Sequence, residues 1–156
     1  MSAGTLRLSQ LDAVIFDLDG TLVQLTIDFD QMRTAVLEIV ACYGVAMDAR
    51  QQGLLTLELI ADVTAGMVRR SPERAARFKA EANGAIEAIE VEAARRADLL
   101  PGVPELLLWL REQGLKLGII TRNCRTAAGK VLDSLGLLID VVLTRDDVPA
   151  VKPDPL

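Results

Sequence analysis

Apolar positions along this chain fall into two rhythms. The first is an unbroken run, Ala13-Val14-Ile15-Phe16, that stops abruptly at Asp17-Leu18-Asp19-Gly20-Thr21. Four apolar residues without alternation predict a strand covered on both faces, as in a parallel sheet. The acids then stand at its carboxyl end, where open α/β sheets bind ligands. From about Asp28 the period becomes helical. Asp28 is placed to cap a helix carrying Met32, Val36, Leu37, Ile39 and Val40 and ending near Gly44. A second helix is expected from roughly Asp48 to Val68, through Leu54, Leu55, Leu57, Leu59, Ile60 and Val63. Ser71-Pro72-Glu73 opens a third, with a hydroxyl cap, proline in the first turn and an acid beside it, running to about Ala97.

The texture changes at Leu99-Leu100-Pro101-Gly102. A helix from Glu105 to Gln113 stops at Gly114. A strand, Leu115–Ile120, stops at Thr121-Arg122-Asn123. A helix from about Thr126 to Leu135 stops at Gly136, and a short strand, Val141–Leu143, precedes Asp146-Asp147. This is α/β alternation in which each strand ends in polar residues. Three successive helices with no strand between them do not belong to that alternation and read as an insertion. The division is therefore 1–24 with 99–156 as an α/β, Rossmann-like parallel-sheet core and 25–98 as the helical insertion.

Composition narrows the class. In a chain of 156 residues, 51% apolar content supports a packed interior, while 3% aromatic content favours helices and buried parallel strands over aromatic-rich sheets. A net charge of −5 with scattered basic residues argues against a nucleic-acid partner. No apolar run is long enough to cross a membrane as a helix, and no basic-then-apolar leader begins the chain, so a cytoplasmic location is expected. There is no histidine, which removes Ser-His and Cys-His hydrolases. The two cysteines, Cys42 and Cys124, sit in unrelated segments, and Cys124 is read as a small, semi-buried residue.

Candidate chemistry centres on Asp17-x-Asp19-Gly20-Thr21. Two carboxylates one residue apart can enter one site if the chain curls directly after the strand, and Gly20 permits that turn. Clustered oxygen ligands suit a hard cation such as Mg2+, which would also screen an incoming phosphate from the acids. By its residues alone the same cluster is compatible with a turn or cap. Asn123 reads first as a helix cap, Asp146 and Asp147 as solvated loop acids, and Asp28, Arg33 and Arg70 as insertion residues that could face the site.

Three segments together resemble the haloacid dehalogenase-like phosphatases. Asp17-Leu18-Asp19-Gly20-Thr21 is similar to their first motif. Thr121, closing Lys116-Leu117-Gly118-Ile119-Ile120, is similar to the second, and Lys152 in Val151-Lys152-Pro153-Asp154-Pro155 to the third. The distance between the first two leaves room for a helical cap, as in the C1-capped subfamily of phosphoglycolate phosphatase-like and β-phosphoglucomutase-like enzymes. The resemblance implies that 25–98 is the cap and that Asp17 is the nucleophile forming an aspartyl-phosphate. Asp19 would be general acid and then base. The Asp17 carboxylate and the Leu18 carbonyl would bind Mg2+. The Thr121 hydroxyl and Arg122 amide would hold phosphoryl oxygens, with Lys152 balancing charge. The implied activity is hydrolysis of a small phosphorylated metabolite. A phosphomutase and a non-catalytic phosphate-binding or scaffold protein are the alternatives. Dehalogenation is disfavoured, since an ester leaving group needs the proton donor Asp19 and a halide does not. The family's fourth motif, acids after a further strand, has no counterpart before Leu156. A core short of its C-terminal part, an exposed sheet edge and weak metal binding are therefore expected, with weak or absent turnover. Substrate identity and oligomeric state are not encoded in these motifs.

Overall fold

The computed structural model describes residues 11–24, 27–149 and 151–152. They form two compact units. One is built from the first segment together with residues 93 onward, the other from 27–92.

The first unit carries the sheet. Strands β1 (Ala13–Phe16), β2 (Lys116–Ile120) and β3 (Val141–Leu143) lie in the order β1-β2-β3, all parallel. Ala13 pairs with Lys116 and Phe16 with Ile119, while Gly118 pairs with Val141. Helix α5 (Val103–Glu112) packs on β2, and helix α6 (Arg125–Leu135) links β2 to β3. Between them α5, β2 and α6 bury Val103, Leu107, Leu110, Leu117, Ile119, Ala127, Ala128 and Val131. The expectation for β1 needs correction. Among the described residues it has one neighbour, β2, and its apolar run alternates: Val14 and Phe16 are half-buried, whereas Ala13 and Ile15 are exposed, Ile15 at 63%. A continuous apolar strand needs a partner on each edge and cover on each face; β1 has neither in full.

Past β1 the chain returns to itself. Gln24 N donates to Asp98 O at 2.9 Å and Leu100 N to Leu22 O at 3.0 Å, with an antiparallel bridge between Val23 and Leu99. This short zipper brings together the residues flanking the insertion, so the insertion leaves and rejoins the core at adjacent points.

The second unit contains α1 (Phe29–Cys42), α2 (Ala49–Gln52), α3 (Thr56–Val68) and most of α4 (Pro72–Ala94). Asp28 caps α1 as expected, its carboxylate accepting Gln31 N at 2.8 Å. Spacing of four places Met32, Val36 and Val40 on one face of α1 and Phe78, Ala82 and Ile86 on one face of α4; with Leu59, Ile60 and Val63 of α3 they form one core. The expected single helix from Asp48 to Val68 is two. Asp48 and Gln51 form a capping box for α2, whereas Glu58 reaches back to Leu55 N at 3.0 Å and starts α3 afresh. Gly53 lies between, and the Arg33 guanidinium donates to the carbonyls of Gln52 and Leu54, satisfying the break.

Phe78→Ala should destabilise the protein by about 3–5 kcal/mol in urea unfolding, because a fully buried ring leaves a cavity. Asp140 ties β2 to β3: its carboxylate accepts Leu117 N at 2.9 Å and faces Lys116 and Arg111. The amide bond from Leu117 is the largest effect and holds its carboxyl below the usual range; burial opposes it, and the lysine and arginine add to the lowering. A depressed folded-state value means stabilisation present above the unfolded-state pKa and lost as pH falls through the folded one. Asp140→Asn should therefore flatten the acid-side fall of Tm between neutral pH and the lower end of the carboxylate range.

Candidate functional site

The site is assembled at the carboxyl ends of β1 and β2. Asp17 directly follows β1, and the chain then folds into a tight loop on the fully buried Leu18. Gly20 adopts φ +78° and donates to Val23 O at 2.8 Å, a conformation that suits glycine. The Leu18 carbonyl accepts the amides of Thr21, Leu22 and Val23 at 3.3, 3.0 and 3.2 Å. The Leu18 carbonyl, expected as a metal ligand, is thus shared among three amide donors although its oxygen has two lone pairs.

Lys152 joins the two strand ends. Its ammonium donates to Asp17 Oδ1 at 2.8 Å and to the Ile120 carbonyl at 2.8 Å. Both charged side chains are roughly two-fifths exposed, so the pair is open to solvent on one side. Thr121, buried at the end of β2, continues the sheet by donating its amide to Leu143 O at 2.9 Å. Its hydroxyl donates to Asp19 Oδ2 at 3.3 Å and accepts Asn123 N at 3.1 Å. Asn123 is buried too, and its amino group reaches Asp19 Oδ2 at 3.2 Å and Oδ1 at 3.4 Å.

These neighbours set the chemistry of Asp19. Burial pushes its carboxyl above the ordinary value. The hydrogen bonds from Asn123 and Thr121 and the Lys152 charge oppose the rise, and Asp17 adds to it. The net upward shift favours the protonated form, the state required of an acid that gives a proton to a leaving group.

Asp17, Asp19, Thr121 and Lys152 are thus drawn into one constellation. Arg122 stands in the same loop, half-buried, its carbonyl accepting Arg145 Nη1 at 3.3 Å. The helix cap expected at Asn123 belongs to Cys124, whose Sγ accepts Ala127 N at 3.3 Å. Asp146 and Asp147 are tied down rather than merely solvated. Asp146 accepts Arg125 N at 2.8 Å, and Asp147 accepts the Thr144 hydroxyl at 2.6 Å and pairs with Arg125. They join the end of β3 to the start of α6. The partnership of Asn123 with Asp19 was missed from sequence; its only signal was a buried-strand terminus carrying one amide side chain two residues after Thr121.

Asp28 serves as a cap and Arg33 as a clamp within the helical unit. Arg70 lines a pocket of about 540 Å³ in that unit, with Tyr43, Arg69 and Arg74. None of Asp17, Asp19, Thr121 and Lys152 lines it.

The donors at the β1 end are all oxygen, as a hard cation prefers. Asp17 Oδ2 and the Asp19 main-chain carbonyl accept no hydrogen bond among the described residues. Among the described residues, no group of three or more acids or cysteines is arranged for a metal. One carboxylate plus a carbonyl fits Mg2+, which keeps several waters and shares substrate phosphate oxygens.

A family model described as haloacid dehalogenase-like hydrolase matches residues 11–156. The phosphoglycolate phosphatase of Nitrosococcus oceani is 27% identical over 152 residues, covering 95% of this chain and 67% of the relative. Pyrophosphatase PpaX of Halalkalibacterium halodurans is 31% identical over 149 residues, covering 94% and 65%. The crystal structure of a hydrolase from Pseudomonas syringae aligns with a TM-score of 0.54 at 28% identity, covering 92% of this chain and 65% of that one. The chain therefore spans about two-thirds of the length of the relatives it matches.

Lys152→Met keeps the aliphatic stem but removes both strand-end bonds. It should lower stability by about 0.5–1.5 kcal/mol, the scale of a partly exposed ion pair and one carbonyl bond, as measured by denaturant unfolding.

Proposed function

The chain belongs to the haloacid dehalogenase-like hydrolases, and from that premise we propose that it is a Mg2+-dependent phosphatase of small phosphate monoesters working through an aspartyl-phosphate on Asp17. The observation that carries the reading is the division of labour between the two acids of one loop. Asp17 is paired with an ammonium at 2.8 Å and half-exposed, whereas Asp19 is desolvated and shifted toward its protonated form.

In the first step the Asp17 carboxylate attacks phosphorus, and the bond from phosphorus to the leaving oxygen breaks as Asp19 gives that oxygen its proton. In the second, water attacks the same phosphorus and gives a proton to Asp19. The bond to Asp17 breaks, and inorganic phosphate leaves with both carboxyls restored. Lys152 balances the charge gathered on Asp17 and the phosphoryl group, and the Thr121 hydroxyl and Arg122 amide hold phosphoryl oxygens. Mg2+, held by the Asp17 carboxylate and the Asp19 carbonyl, would neutralise the repulsion between the acids and the incoming phosphate.

Residues 25–98 would be a cap that selects the substrate. The relatives' names span a phosphoglycolate phosphatase and a pyrophosphatase, which supports a small phosphorylated compound as the substrate class. Retention of the acid Asp19 favours phosphate ester chemistry over halide displacement.

With Mg2+ and an intact C-terminus, the protein should release phosphate from 4-nitrophenyl phosphate, and Asp17→Asn should lower kcat at least about 1,000-fold. Full activity in the Asn variant would remove Asp17 from the nucleophile's role; turnover unaffected by chelation would remove the metal.

A further inference from the structure

Asn123 is 4% exposed, and each of its polar atoms is engaged. Its amide donates to Thr121 Oγ1 at 3.1 Å and its carbonyl accepts Arg145 N at 3.2 Å. Side-chain Oδ1 accepts Cys124 N at 2.9 Å, so the amino group is the end that faces Asp19. Capping does not explain this residue, since Cys124 occupies the cap position of α6.

The Thr121 hydroxyl has one proton, and in this structure it points to Asp19 at 3.3 Å. The proposed function, on which this inference rests, needs that proton for a phosphoryl oxygen. Once it turns away, Asp19 keeps Asn123 as its remaining donor from the β2 loop. We infer that Asn123 is the positioning residue for the general acid: it holds the Asp19 carboxyl in place after the substrate has taken over Thr121. The amide is suited to this because it donates without carrying charge, and its other end is pinned to the start of α6. A charged donor would pull the proton off Asp19, which must keep it for the leaving group.

The test uses substrates that differ in their need for an acid. A nitrophenolate leaves readily without a proton; an alkoxide does not. Asn123→Ala should lower kcat for glycerol phosphate by about 10–100-fold, within the general-acid range. For 4-nitrophenyl phosphate the loss should be below about 3-fold. In an Asp19→Ala background the Asn123 change should add nothing. Asn123→Asp, which keeps the shape and the acceptor for Cys124, should repeat the pattern if the alanine variant folds poorly. Equal losses on both substrates, or a loss that persists without Asp19, would overturn the inference in favour of a structural role. A second arm needs no turnover. Across urea unfolding of the parent, both single alanine variants and the double variant, the two changes should be non-additive by more than about 3-fold in the unfolding constant. Additivity would overturn the inference. If Asp17→Asn remains active, the functional reading fails, while the unfolding cycle still decides whether Asn123 and Asp19 act as a pair.

Discussion

One ammonium group determines where the chemistry of this fold converges. Lys152 reaches the carboxylate that follows β1 and the last carbonyl of β2, each at 2.8 Å. Parallel strands end side by side, but nothing in a sheet ladder obliges their following loops to meet. The shared cation supplies that obligation: it holds Asp17 against β2, and the same strand end presents Thr121 and Asn123 to Asp19. Two carboxylates one residue apart repel each other. The arrangement separates them by environment, one beside a positive charge and open to water, the other desolvated among neutral donors.

Much of this was legible in the chain. The abrupt change from Ala13–Phe16 to Asp17-Leu18-Asp19-Gly20-Thr21 marks a strand end, and the strand Val141–Leu143 and the capped start of α1 follow directly from local patterning. What sequence could not show has a common physical form. A helix break at Gly53 depends on which of two competing caps closes, and Arg33, distant in sequence, seals it. The role of Asn123 depends on Cys124 taking the cap that an asparagine ordinarily fills. The surroundings of the Leu18 carbonyl are a matter of loop conformation: the same residues in a wider turn would leave that oxygen free, whereas three amides converge on it here. Local preference names the groups; long-range contacts decide what each is used for.

The edge of the sheet and the helical unit illustrate the same separation. The run Ala13–Phe16 reads as a strand buried on both faces, yet Ile15 is 63% exposed, and among the described residues β1 has a neighbour on one side. Composition reports what a segment is able to bury, and topology determines how much it does bury. The insertion, by contrast, satisfies its own apolar faces. Residues four apart on α1 and α4 meet α3 in one core, and the zipper between 22–24 and 98–100 closes the base of the excursion within the sheet-bearing unit. A segment with its own core can vary in sequence without disturbing the strand ends where the acids stand.

The most direct test of the account is to trap the phosphorylated residue. The protein would be mixed with Mg2+ and substrate, quenched in acid during turnover and reduced with borohydride, which converts an aspartyl-phosphate to homoserine. Peptide mass spectrometry should then find homoserine at position 17 and unmodified aspartate at position 19. Turnover with no homoserine at 17, or with the mark on another residue, would contradict Asp17 as the group that attacks phosphorus.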